Sequence, residues 1–139
     1  MIDAVALVPP WTAYLLAAVA LLWAPRRLGT LVAAALTALT VPWVLVAPAG
    51  SSVSVTALGF EQVLFQVDGL TRPVAALFGF VAALNVLYSY GTDADARQTA
   101  YALLYMGAGV AAVVAGDWLT LLMGWELLAV TATVLVWHH

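Results

Sequence analysis

Five apolar runs, each close to the length of a bilayer crossing, take up most of this chain and leave little room for anything else. They fall at residues 4–24, 28–47, 71–90, 98–115 and 118–137. A crossing takes about 20 apolar residues. Backbone in hydrocarbon must also satisfy its own hydrogen bonds, which a helix does within itself. Of the 139 residues, 65% are hydrophobic and 8% charged, against roughly 25% charged in a soluble domain. The expected fold is therefore an all-α membrane protein, one domain over 1–139 with about five transmembrane helices. Met1-Ile2-Asp3-Ala4 places no basic residue ahead of the first run, so that run is read as a retained span rather than a cleaved leader.

The connections follow the punctuation. Pro25-Arg26-Arg27 separates the first two runs, Gly91 to Arg97 the third and fourth, and Gly116-Asp117 the last pair. So short a turn makes the last two spans an antiparallel hairpin. Segment 51–67 is different. Val53, Val55 and Ala57 alternate with small or polar residues, as do Val63, Phe65 and Val67, which predicts a short extramembrane β-hairpin between helices two and three. Basic loops stay cytoplasmic. Arg26, Arg27 and Arg97 therefore put the N-terminus outside and the C-terminus inside, in a multi-pass protein of the cell (inner) membrane.

Composition removes several chemistries. There is no Cys, all four basic residues are Arg, and the two His stand together at 138 and 139. Thiolate metal sites and iron–sulfur clusters need Cys, a P-loop or Schiff base needs Lys, and a haem between helices needs axial ligands at mid-membrane depth. No cofactor and no metal site are expected, and quinone contact at a helix interface stays open. A formal charge of −3 does not suit nucleic acid. The chain reads as a transport component rather than an enzyme.

One residue is expensive. Glu126 is the only ionisable side chain deep within a run. Trp118 and Trp137 bracket its span about 28 Å of helix apart and read as interfacial belts. Glu126 then lies about 12 Å from one boundary and about 16 Å from the other. A carboxylate near the midplane costs several kcal/mol unless it is protonated, paired or hydrated. A group that changes protonation as a cation comes and goes is what a proton relay requires. The competing reading is a permanently neutral hydrogen-bonder in a structural scaffold. Thr133, two turns inward on the same face, is placed to bond the carboxyl or a water.

The chain supplies no good cation to Glu126. Arg72 is expected to pair with Asp68 one turn earlier, and the other arginines belong to the opposite loops. Asp117 at the outer turn reads as a helix N-cap or an interfacial anchor, with an entry point for ions as the competing reading, Asn85 as an interhelical hydrogen-bond donor, and Pro73 as a first-turn proline with Asp68 or Thr71 as cap. Gly107, Ala108, Ala111 and Ala112 offer a surface for close helix approach. His138 and His139 read as a solvated end.

Three pieces in order carry a resemblance: Val67-Asp68-Gly69-Leu70-Thr71-Arg72 opening a span, Ala115-Gly116-Asp117-Trp118-Leu119-Thr120-Leu121 at a turn, and Trp125-Glu126-Leu127-Leu128 inside the next helix. With them the chain resembles the antiporter-like proton-translocating subunits shared by Mrp-type sodium/proton antiporters and the membrane arm of respiratory complex I. Within the Mrp complex the D-type component is the first choice and the A-type component the second. The resemblance implies that Glu126 is the fifth-helix glutamate, which pairs with a lysine on a later helix and switches proton affinity as the pair forms and breaks. It also implies a supporting neighbourhood of Trp125, Asp117, Thr133, Asp68 and Arg72.

It covers most of this chain but only the first third of such a family member, which has about fourteen spans of the usual roughly 20 residues. The central lysines are absent here, so the chain alone is not expected to be an antiporter. A natural split subunit is favoured over a truncated gene or an accessory protein. The implied partners are other membrane subunits, one of which supplies a mid-membrane lysine, together with protons, sodium and the lipid bilayer.

Overall fold

The computed structural model describes residues 8–57 and 59–138. They form helices α1 (Thr12–Trp23) and α2 (Arg26–Val46), strands β1 (Ser52–Ala57) and β2 (Phe60–Gln66), then helices α3 (Thr71–Gly91), α4 (Ala96–Val113) and α5 (Trp118–Trp137). The β-hairpin falls between the second and third helices, as the alternation predicts. The start of the first expected span, residues 4–7, and His139 lie outside the described residues. Three helices, α2, α3 and α5, are long and apolar enough to cross a membrane. The described part of α1 has 12 residues. The 18-residue α4 opens on Arg97, Gln98 and Thr99 and is otherwise rich in Ala and Gly.

Local chemistry sets the ends. Pro25 stops α1 and opens α2. The Asp95 carboxylate accepts from the Arg97 N–H at the start of α4, and Asp117 accepts from the Thr120 N–H at the start of α5. The Asp68 carboxylate takes the N–H groups of Leu70 and Thr71 at 2.8 and 2.7 Å, while its own N–H donates to the Thr71 hydroxyl at 2.9 Å. Pro73 then sits in the first turn of α3, where its missing N–H leaves nothing unpaired. Pro42 does not break α2, which runs through it.

The helices α1, α2, α3 and α4 pack in a ring, each against the next and α4 back against α1, while α5 lies outside the ring and docks on α4. Tyr14, Val44, Val86, Leu103 and Val110 fill the ring core. Glycine makes the close approaches possible. A Cβ on Gly107 would stand 2.8 Å from the Tyr14 Cβ of α1, and one on Gly124 would stand 2.9 Å from the Ala112 backbone N of α4. The small residues of α4 thus serve packing, as their spacing predicts.

One end of the ring joins the two arginine-bearing loops. Arg26 meets the Asp93 carboxylate at 2.6 Å and lies 5.2 Å from the centroid of the Tyr90 ring. His138 stacks on Tyr101 of α4 at 4.9 Å, so α5 ends on this side too. The other end carries the β-hairpin and the Val114–Asp117 turn.

In the hairpin, Gly59 adopts the left-handed φ of +81° that closes the turn. The register slips between Val53 and Ser54, which pair with Phe65 and Val63 and leave Leu64 as the extra residue of a bulge. This corrects the expected alternation. One inserted residue swaps the faces beyond it, so Gln62 is buried along with Phe65 and Val67, whereas Val63 is only half-buried. Phe65 meets Trp43 of α2 edge-on at 5.9 Å and seats the hairpin on the ring.

Candidate functional site on the outer face of α5

Helix α5 is apolar on every side, yet only Thr120 and Gly124 of its twenty residues are buried. Those two mark the side that meets α4. Glu126, two residues beyond Gly124, projects about 200° around the helix from it, on the side turned away from α4. It shares that exposed face with Leu122, Val130 and Thr133. Trp118 and Trp137, 86% and 84% exposed, cap the two ends of the same helix. Halfway along an apolar surface there is thus one carboxylate, and it has no hydrogen-bond or ion-pair partner among the described residues.

The other sequence-derived candidates are dispersed rather than gathered around Glu126. Thr133 shares its face, but its hydroxyl donates to the Ala129 carbonyl at 2.9 Å, within its own helix. Trp125 is exposed on the flank of α5. Asp117 stands nine residues away at the hairpin end, where its carboxylate has three tasks. It accepts from the Thr120 N–H at 2.8 Å, from the Thr120 hydroxyl at 2.9 Å and from the Val63 N–H of β2. Those backbone and hydroxyl donors, the Thr120 N–H first, hold its carboxyl below the usual carboxylate range.

Asp117 is one of three ties between the α4–α5 turn and the free edge of β2. The Gln66 N–H donates to the Val114 carbonyl at 2.7 Å, and the Gly116 N–H to the Val63 carbonyl at 3.1 Å. A side chain at Gly116 would collide with Val63. The Gly-Asp turn therefore covers a strand edge that would otherwise be open. The sequence signals the cap through the spacing of Asp117 and Thr120, but not the strand it would grip.

Two expectations are corrected. Arg72 does not pair with Asp68. The Asp68 carboxylate is taken up by the backbone donors of the α3 cap, and those donors, Thr71 first and then Leu70, hold it below the usual carboxylate range. The Arg72 guanidinium instead donates to the carbonyl of Ala47 at the carboxyl end of α2. There the last helical carbonyls lack partners and the helix dipole favours a cation. Asn85 makes no interhelical hydrogen bond among the described residues: its Oδ1 accepts from the Ser89 hydroxyl one turn on in the same helix, at 3.3 Å.

No group of three or more His, Asp or Glu able to hold a metal occurs among the described residues. What the arrangement offers chemically is one unpaired acid at mid-helix depth, facing outward. Comparison of the chain with protein-family models, with curated proteins and with solved structures returned no match.

Proposed function

We propose that this chain is a membrane component of an Mrp-type cation/proton antiporter or a related proton-pumping complex, with all five helices in the bilayer and the β-hairpin outside. In this reading Glu126 takes part in proton translocation. The observation that supports it is the outward aim of Glu126. An ionised carboxylate facing lipid at that depth costs several kcal/mol, and the ring behind it lends no cation. A neighbouring polypeptide that lays a mid-membrane lysine against α5 removes that cost. Protonation of Glu126 then becomes coupled to whether the lysine is near. The motifs around Asp68, Asp117 and Trp125 support the same family, and the arginine loops support a cytoplasmic C-terminus.

Glu126→Gln keeps the size and the hydrogen-bonding edge but removes the exchangeable proton. Proton-coupled transport by the assembled complex is expected to vanish, while the amount of complex purified stays unchanged. Transport at the parental rate by the Glu126→Gln complex would reject the relay and favour a chain that only holds its neighbours together.

A further inference from the structure

The hairpin has one covered edge and one open edge. Ser52 pairs with Gln66 and Ser54 with Val63, and both partners turn their N–H groups away from β1, to Val114 and Asp117 of the α4–α5 turn. Across an antiparallel ladder such residues form the non-hydrogen-bonded pairs. Ser52, Ser54 and, two residues on, Thr56 therefore direct their own N–H and C=O groups away from β2. None of these groups meets a helix or loop among the described residues. All three residues are exposed, and so is Val55, at 46%.

Open edges are normally blunted by charge, by proline or by a bulge, because they template pairing with another chain. Ser52-Val53-Ser54-Val55-Thr56-Ala57 has no charge and no proline, and the bulge lies in β2, whose own edge the turn covers. The strand is also close to a palindrome about Ser54. Laid antiparallel on a second copy, Ser54 meets Ser54, Ser52 meets Thr56, and Val53 meets Val55 on both sides of the centre. The outward groups of Ser52, Ser54 and Thr56 then close about six hydrogen bonds. The valines fall at the non-hydrogen-bonded pairs, where side chains come closest. A shift of two residues either way leaves only one valine against a valine.

We propose that β1 pairs antiparallel with β1 of a second copy about a two-fold axis at Ser54, joining two chains through one four-stranded sheet outside the membrane. Gln62, Phe65 and Val67 turn one face of the hairpin onto the end of the ring, so the sheet lies across that end. An axis normal to the sheet then runs along the helices, as two copies inserted in the same direction require. The pairing is isologous and takes up the open edge of each copy, so it stops at two. Helix α5 lies on the side of the covered β2 edge, so the seam forms away from it and stands whether or not Glu126 moves protons.

The test uses the full chain, which has no native cysteine, in dilute phospholipid vesicles oxidised with copper phenanthroline. Ser54→Cys should cross-link to a dimer, since the paired Cα atoms there lie about 5.5 Å apart, within reach of a disulfide. Ser52→Cys or Thr56→Cys alone should not, because each stands about 14 Å from its own copy, but the two variants mixed should. Ser54→Pro removes an outward N–H and no bond to β2. In that background the mixed cross-link should fall about thirtyfold, the weight of the two central hydrogen bonds. Ser54→Lys should lower it several-fold by setting like charges opposite each other, and mixing Ser54→Lys chains with Ser54→Glu chains should restore it, which a misfolded hairpin would not. Absence of a Ser54→Cys dimer, the result if residues 1–7 cover the edge, would overturn the proposal. So would equal cross-linking of the three single-cysteine variants, a mixed cross-link indifferent to Ser54→Pro, or a charge swap that restores nothing.

Discussion

The attachment of α5 depends on one position more than any other. At Gly124 an added Cβ lands 2.9 Å from the Ala112 N, 3.0 Å from its Cα and 3.2 Å from its Cβ. Carbon–carbon contacts settle at about 3.5–4.0 Å, and two of the three atoms are backbone, which no rotamer change can move. Gly124→Ala therefore pushes α5 away from α4 by about 0.5–1 Å. A gap of that size forfeits a quarter to a half of each dispersion contact at the crossing. The overpacking cost is about 1–3 kcal/mol, equal to a rise of about five- to 150-fold in the population of undocked α5.

Because the chain has no native cysteine, a single cysteine can report that population. Placed at the half-buried Leu128, which faces Gly109 of α4, its rate of modification by a membrane-permeant maleimide should rise by that factor in the Gly124→Ala background. Gly69→Ala, where nothing lies within 4 Å, is the control and should leave the rate unchanged. Equal rates in all three backgrounds would refute the claim that α5 seats on the α4 backbone at this point.

Four further outcomes follow from the polar contacts. Asp117→Ala removes both the α5 cap and the grip on Val63, at a cost of about 1–2 kcal/mol, and amide exchange in β2 should accelerate as the hairpin loosens. The carboxyls of Asp117 and Asp68 are both held low in the fold, so between the folded and unfolded values the unfolded chain binds more protons. Their stabilisation is complete above the ordinary carboxylate value of about 4. It is lost as pH falls through the lower folded values. A Tm scan against pH should show this acid limb, flattened in Asp117→Asn. A double-mutant cycle of Asp68→Asn with Arg72→Met should give a coupling below about 0.5 kcal/mol, and a coupling above about 1 kcal/mol would restore the ion pair between them. Arg26→Ala should cost no more than about 1 kcal/mol in thermal unfolding, since both partners of its ion pair are well exposed.

The helices and the hairpin were legible because their signals are one-dimensional. Length and apolarity mark a helix suited to hydrocarbon, and a two-residue period marks a strand. The boundaries of α3 and α5 follow the apolar runs at 71–90 and 118–137 to within a residue. Asp117 was readable as a cap because capping is local. The Arg72 contact was not, because its acceptor, the Ala47 carbonyl, is 25 residues away. The bulge at Leu64 was hidden as well, since an extra residue shows only when the partner strand is laid beside it. Its consequence is the burial of Gln62.

From the order of residues alone come the mostly helical plan, the strand pair, and an acid at the middle of the last helix, because partition into lipid and backbone periodicity need no neighbours. Tertiary packing decided that four helices close a ring, that α5 docks outside it, and that Glu126 faces away. A helix apolar all round carries no record of its inner side. Lipid is as apolar as leucine, so rotation about the axis is fixed only where small residues, here Gly124 against Ala112, let two backbones meet.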